Sequence, residues 1–419
     1  MADRRAVRRA LADAHRREWA RVLAATVRVT RELDLAEECV QEAYVAALDA
    51  WTHAGIPANP GAWLVTTARR KALDALRRER VLRTKLPLLT GDTDDHIEDT
   101  DDTGSGTDTP EEPSSIGDDR LRLVFMCCHP ALDTAAQVAL TLRLVCGVAT
   151  PDIARAFLVT EPAMAARITR AKKKIALAHI PFRVPSDAEL PARLDAVLTV
   201  IHLLFTTGHT APHGADLTRA DLQVRAIDLA RLLHGMMPDE LEIAGVLALL
   251  LVNHARQAGR TDAEGRLVLL EHQDRSTWDR AAIAEGHTLV DTALRAGPPG
   301  RFLLQAAIAL LHAQAPTYAE TDWRQILELY GRLHEVWPSP VVELNRAVAL
   351  AMVHGPEAAL RVVERLETQM DGYQYLPAVK GELLRRLGRD EEAAAAYRQA
   401  LDLTGNEAER AYFTDRLGP

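Results

Sequence analysis

Cations are concentrated on two short segments of this chain. Over residues 60–80, Arg69, Arg70, Lys71, Arg77, Arg78 and Arg80 share a stretch with Trp63, Leu64, Thr67, Ala68, Leu73 and Leu76. The second set recurs at helical spacing and predicts one buried stripe, leaving the cations on the other faces. A basic surface helix next to an aromatic-containing turn suits a nucleic-acid backbone, although a merely solvated helix reads the same way in isolation. Over residues 161–175 the second segment places Arg167 and Arg170 three apart on a face shared with Lys174, flanked by Lys172 and Lys173. Arginine has the fork geometry that grips guanine edges, whereas lysine mostly supplies charge to phosphates.

The elements around these segments are helical. Asp34 to Trp51 reads as an amphipathic helix with Asp34 as its cap,. Leu35, Cys39, Val40, Ala43, Ala47, Leu48 and Trp51 are expected inside, and Glu37, Glu38, Gln41 and Glu42 outside,. Asp119 to Ala139 is expected as one helix, and the apolar pattern continues to Val145 before Gly147 breaks it. A short helix follows over 149–158, with Thr150 as its cap and Pro151 at its first position,. Val159-Thr160 makes a turn, and a second helix opens at Glu161-Pro162. This is a helix-turn-helix, in which the second helix enters the major groove.

Residues 34–80 together resemble region 2 of a sigma-70 family factor of the extracytoplasmic-function type. The segment Arg167-Ile-Thr-Arg-Ala-Lys172 resembles the end of the region 4 recognition helix. It departs from the usual pattern at Glu161-Pro162-Ala163, Ala165 and Ala166. The resemblance implies that Asp34, Glu38, Gln41 and Glu42 bind core RNA polymerase at the β′ clamp helices, with the β subunit as a further partner. It implies that Arg69, Arg70, Lys71, Arg77 and Arg78, with the turn 52–60, read and open the −10 promoter element. Arg167, Arg170, Lys172, Lys173 and Lys174 would then contact the −35 element. His272-Gln-Asp-Arg-Ser-Thr-Trp-Asp-Arg280 and Asn345-Arg-Ala-Val-Ala resemble the long carboxy-terminal extension of one subgroup.

Charge partition agrees with two nucleic-acid modules. Residues 1–85 are net +6 and 120–183 net +7, whereas 86–119 are net −12 and 184–419 net −10. The whole-chain net charge of −9 hides the two basic parts,. The stretch 89–117 is rich in Asp, Thr, Gly, Ser and Pro, cannot bury enough surface to offset its ordering entropy, and reads as an acidic flexible linker or passive tether,.

The remainder reads as an all-helical extension over 184–313, followed by tetratricopeptide-like repeats over 314–419. Helical spacing appears at 193–205, 217–234, 240–257, 278–294 and 302–314,. Ala393, Tyr397 and Ala400, with Gly381 on a facing helix, match the small–aromatic–small spacing of a tetratricopeptide unit; weaker echoes lie at 359–366 and 326–338,. An irregular bundle is the competing reading. A solenoid groove suits a protein or peptide ligand.

Other residues suggest chemistry less specifically. Cys127-Cys128-His129 lacks metal-ligand spacing and reads as a buried thiol pair; Cys39, Cys127, Cys128 and Cys146 make no disulfide framework,. Glu271, His272, Asp274, Arg275 and Asp279 could support acid–base catalysis, but no nucleophile motif or phosphate loop accompanies them,. No cofactor and no enzyme activity are expected. No apolar run reads as a signal peptide or membrane span, and a bacterial-type cytoplasm is expected. The alternatives are a DNA-binding regulator with a tetratricopeptide sensor that never meets polymerase, and a helical enzyme fused to a DNA-binding domain. The latter would need a deep polar pocket around Asp274 and Arg275.

Overall fold

A computed structural model describes residues 4–89, 119–157, 159–209, 213–214, 220–262 and 264–417. Most of the expected acidic linker, residues 90–118, lies outside the described residues, as do 210–212 of the polar loop 206–214. The fold is all-α. The described strands are two-residue segments, β1 (His213–Gly214) and β2 (Gly405–Asn406), paired in parallel. The chain divides into two compact units, Met1–Val197 and Leu198–Pro419.

In the first unit, α1 (Arg4–Thr30), α2 (Leu33–Ala54) and α3 (Pro60–Leu89) pack pairwise into a three-helix bundle. Val22, Leu23 and Val27 from α1 meet Val40, Ala43 and Ala47 from α2 and Leu64, Ala68 and Ala72 from α3 in its core, and all are buried. The edge of Trp63 meets Trp51 at 5.7 Å, fixing the turn between α2 and α3,. Several sequence expectations are corrected here. Asp34 lies inside the first turn of α2, where its charge still favours the helix dipole, and Glu32 occupies the cap position,. Leu48 and Leu73 are 43% and 46% exposed, one step off the buried stripes. Glu37, expected outside, is buried.

The helix-turn-helix module follows. The segment 119–139 is not one helix. α4 (Asp119–Cys127) stops before Pro130, and α5 (Thr134–Leu140) restarts with the Asp133 carboxylate accepting from Ala136 N at 2.9 Å,. A π-helical turn, Thr141–Val145, closes α5 before Gly147, whose φ is 66°. α6 (Thr150–Ala156) begins with Thr150 as a helical residue, and the carbonyl of Ala149 accepts the first bonds. α7 (Glu161–Leu177) is capped by Thr160 and has Pro162 in its first turn,. Met164, Ile168, Ala171 and Ile175 form its buried stripe.

α8 (Leu190–His209) begins in the first unit and ends in the second. It corrects the expectation that no apolar run could span a membrane, because its length and hydropathy allow it. Its apolar residues Leu198, Val200, Ile201, Leu204 and Phe205 are instead buried in protein.

The second unit continues with α9 (Ala220–Met236), α10 (Leu241–Ala255), α11 (Arg280–Ala296) and α12 (Arg301–Gln314). Every residue from Ile243 to Val252 is buried, so α10 is the central core helix. A Cβ on Gly245 would stand 2.6 Å from the Leu303 backbone nitrogen, which is the closeness that lets α10 and α12 touch. Glu242 supports the same contact by accepting from Gly300 N, Phe302 N and Leu303 N at the start of α12,. Then come α13 (Trp323–Val336), α14 (Pro340–His354), α15 (Pro356–Leu366), α16 (Tyr375–Arg386), α17 (Asp390–Leu403) and α18 (Glu407–Leu417), each packed on the next. Gly381 lies against the Tyr397 ring, as the repeat spacing expects; a Cβ there would stand 2.9 Å away. This succession of hairpins is compatible with tetratricopeptide-like repeats.

Candidate polymerase and nucleic-acid interface

α2 presents Asp34, Glu38, Gln41 and Glu42 on one exposed face. Helical spacing of i, i+4, i+7 and i+8 places them there. α3 carries Arg69, Arg70, Arg77 and Arg78 exposed on the far side of its buried stripe. The two faces meet where Lys71 Nζ donates to Glu42 Oε2 at 2.9 Å. Arg77 stands 3.5 Å from Asp74, and Arg78 Nε donates to the Asp74 carbonyl at 3.4 Å. Such exposed pairs are worth at most ~1 kcal/mol and yield readily to a nucleic-acid phosphate. On α7, Arg170, Lys173 and Lys174 are exposed and Arg167 is half-buried.

Lys172 is placed differently. Its ammonium donates to Asp34 Oδ1 at 2.7 Å and to Glu37 Oε2, and the other Glu37 oxygen pairs with Arg143 at 2.8 Å. The side chains of Lys172 and Glu37 are only 12% and 7% exposed. Burial alone would lower the Lys172 pKa, but the Glu37 and Asp34 carboxylates outweigh it and hold the ammonium above the ordinary lysine value,. The bundle and the helix-turn-helix module therefore interlock. Trp19 Nε1 donates to the Leu144 carbonyl at 3.0 Å, and its ring approaches Gly147 so closely that a Cβ would come within 3.0 Å. A residue expected on DNA and a residue expected on polymerase hold each other.

Sequence reasoning missed Glu37 and Arg143. A signal for Glu37 was present: it stands four residues after Leu33 and three before Val40, on the apolar stripe rather than beside it,. Nothing local marks Arg143, because its role depends on a partner over a hundred residues away.

The residues read as possible acid–base chemistry form a structural clasp. The guanidinium of Arg275 donates to the His312 and Ala315 carbonyls at 2.6 and 2.9 Å and lies 4.6 Å over the Trp278 ring,. Asp274 accepts from Ser276 N, and Asp279 caps α11 through Ala281 N and Ala282 N. Cys127 and Cys128 are buried. Burial pushes the Cys127 thiol well above its ordinary value and the Cys128 thiol up to about 12, so both stay protonated and unreactive,.

Comparison with known proteins agrees with this layout. Residues 11–81 match Sigma-70 region 2, 122–175 match Sigma-70, region 4, and 193–294 match a family of unknown function (DUF6596). An uncharacterized protein of Rhizobium meliloti (strain 1021) is 45% identical over 395 residues, covering 94% of this chain and 92% of the relative. No solved structure matches the chain. Those two modules belong to non-enzymatic transcription factors, and their partners are core RNA polymerase and promoter DNA. With both present in order, the chain belongs to the sigma-70 family of RNA polymerase sigma factors.

Proposed function

We propose that this protein is a sigma factor of the extracytoplasmic-function type. It binds core polymerase through Asp34, Glu38, Gln41 and Glu42, and it engages the −10 element through Arg69, Arg70, Lys71, Arg77 and Arg78. Arg167, Arg170, Lys172, Lys173 and Lys174 engage the −35 element. The observation that carries this reading is the exposed carboxylate and amide face of α2 beside the exposed basic face of α3, with a second basic helix, α7, behind a capped turn. We place the protein in the cytoplasm, treat the extension as a tetratricopeptide-like interaction module, and assign it no catalysis.

The Lys172–Glu37–Arg143 contact adds a condition. While Asp34 and Lys172 hold each other, neither surface is complete. The two modules must part before both partners are bound, and polymerase supplies the competing contacts. The test is gel filtration with purified core polymerase. The wild type should co-elute, and Glu38→Lys with Glu42→Lys should not, while circular dichroism remains helical. A wild type that binds promoter DNA but never core enzyme would favour a DNA-binding regulator instead.

A further inference from the structure

The second unit contains a chamber of about 660 Å³ that the sigma modules do not use. Its walls come from α12, α13, α14, α16, α18 and the loops before α11 and α13, and they include Leu270, Tyr318, Trp323, Tyr330, Tyr412 and Phe413. Volumes of ~300–1,000 Å³ lined by aromatic groups with a few polar ones are typical of small-molecule sites. It is open to solvent on one side, where Glu271, Asn345 and Arg386 are exposed.

The polar groups around the chamber are unequally satisfied. Glu382 accepts two bonds from Arg385 and one from Tyr397, and Glu409 accepts from Gln374, Tyr375 and Thr404. Arg386, exposed at the rim, donates to the Met352 sulfur at 3.6 Å and acts electrostatically on Tyr318, and no carboxylate of the described residues lies within ion-pair distance. Asn345, two turns before Met352 on the same face of α14, also lines the chamber and has its amide exposed to solvent. Behind the floor, Arg275 donates to the carbonyl of the lining residue His312, and its buried Nη2 has no partner. Arg256, half-buried with its Nε unpartnered, donates to the neutral Asn253 Oδ1 at 2.7 Å. His312 adds no charge, since burial and the guanidinium groups of Arg256 and Arg275 push its pKa down to about 4. Three carboxylates oppose these cations: Glu382 is paired with Arg385, Glu409 is buried among neutral donors, and Glu271 is exposed at the rim, 3.2 Å from His272 Nε2. The donors left for a ligand are Arg386 and Asn345, both exposed at the rim, with the Arg275 and Arg256 guanidinium groups behind the floor.

We propose that this chamber binds a small organic anion, with a flat or branched apolar body among the aromatic rings and a single carboxylate or sulfonate on Arg386 and Asn345. The arginines behind the floor favour the charge at longer range, where the low-dielectric walls weaken screening. This site is independent of the polymerase reading, because none of its residues belongs to the two sigma modules.

The test uses 8-anilinonaphthalene-1-sulfonate with the full chain, compared with N-phenyl-1-naphthylamine, which has the same ring body without the charge. The sulfonate should bind with one-to-one stoichiometry and at least about tenfold more tightly than the amine, the scale of a charge-assisted hydrogen bond. Arg386→Ala should abolish that preference. Val348→Trp, at a half-exposed lining position, should fill the chamber and remove binding of both. Glu271→Gln should leave sulfonate binding unchanged or tighter. Arg386 is on the surface, so its substitution keeps the test valid even if the tryptophan variant misfolds. Equal binding of the two dyes to the wild type would overturn the proposal. So would sulfonate binding that survives Arg386→Ala unchanged.

Discussion

Glu37→Ala should open the interlocked first unit. In the closed arrangement, Glu37 bridges Arg143 and Lys172, whose side chains are 21% and 12% exposed. Leaving a buried charge without its partner costs ~3–5 kcal/mol. Lys172 keeps Asp34, and both cations regain water when the modules part, so the lower end, ~3 kcal/mol, applies to the closed arrangement. At ~1.4 kcal/mol per tenfold, the closed-to-open ratio falls on the order of 100-fold. The assay is resonance energy transfer between dyes on cysteines introduced at Val45 and Leu177, which are 70% and 82% exposed. Cys39, Cys127 and Cys128 are buried with raised pKa values, and Cys146→Ser removes the half-buried thiol. Transfer should drop in Glu37→Ala and fall partway in Glu37→Gln, which keeps one acceptor oxygen for a single cation and loses the charge. Promoter DNA binding should strengthen in the same order. Unchanged transfer in Glu37→Ala, with helicity intact, would refute the reasoning.

Further outcomes follow from the same geometry. Arg170→Ala should cost ~1–3 kcal/mol at one base position if it grips a guanine, whereas Lys173→Ala should weaken all sequences alike and lower the salt slope by about one, both read by fluorescence anisotropy across salt. Burial holds His202 and His312 down at about 4, with nearby arginines adding to it. The unfolded chain therefore binds more protons between about pH 6.5 and 4, so stability is full above that window and falls as pH drops through it. Each buried histidine contributes at most ~1.4 kcal/mol of that loss for every tenfold rise in proton concentration across the window. Denaturant melts at pH 7 and 5 should show this loss, and His312→Gln should reduce it. Gly245→Val forces a side chain into the Leu303 backbone and should lower stability by ~1–3 kcal/mol or more in thermal melts,.

Much of the fold was legible because each helix carries its own period. Ile243–Val252 is apolar on all sides and is the buried helix such a pattern requires,. Thr160 and Pro162 mark the start of α7 where capping chemistry places it,. Asp133 carries an equally clear cap signal, but the apolar run through Leu132 masked the break at Pro130. The π-helical turn has no local signature; within it the Leu144 carbonyl accepts from Trp19, more than a hundred residues away. The candidate site was legible as faces and illegible as a pairing. Helical spacing places Asp34 and Lys172 on their own surfaces, but only the tertiary structure brings them within 2.7 Å. The chamber was invisible for the same reason, since its lining comes from Leu267 to Phe413 across several helices.

Run-off transcription with purified core polymerase tests the central claim most directly, using a promoter fragment taken from upstream of the protein's own gene. The wild type should yield a transcript of defined start that neither core alone nor the Glu38→Lys, Glu42→Lys variant produces. Core polymerase that gives the same transcripts with and without the wild-type protein, while the protein still binds the promoter fragment, would contradict the account.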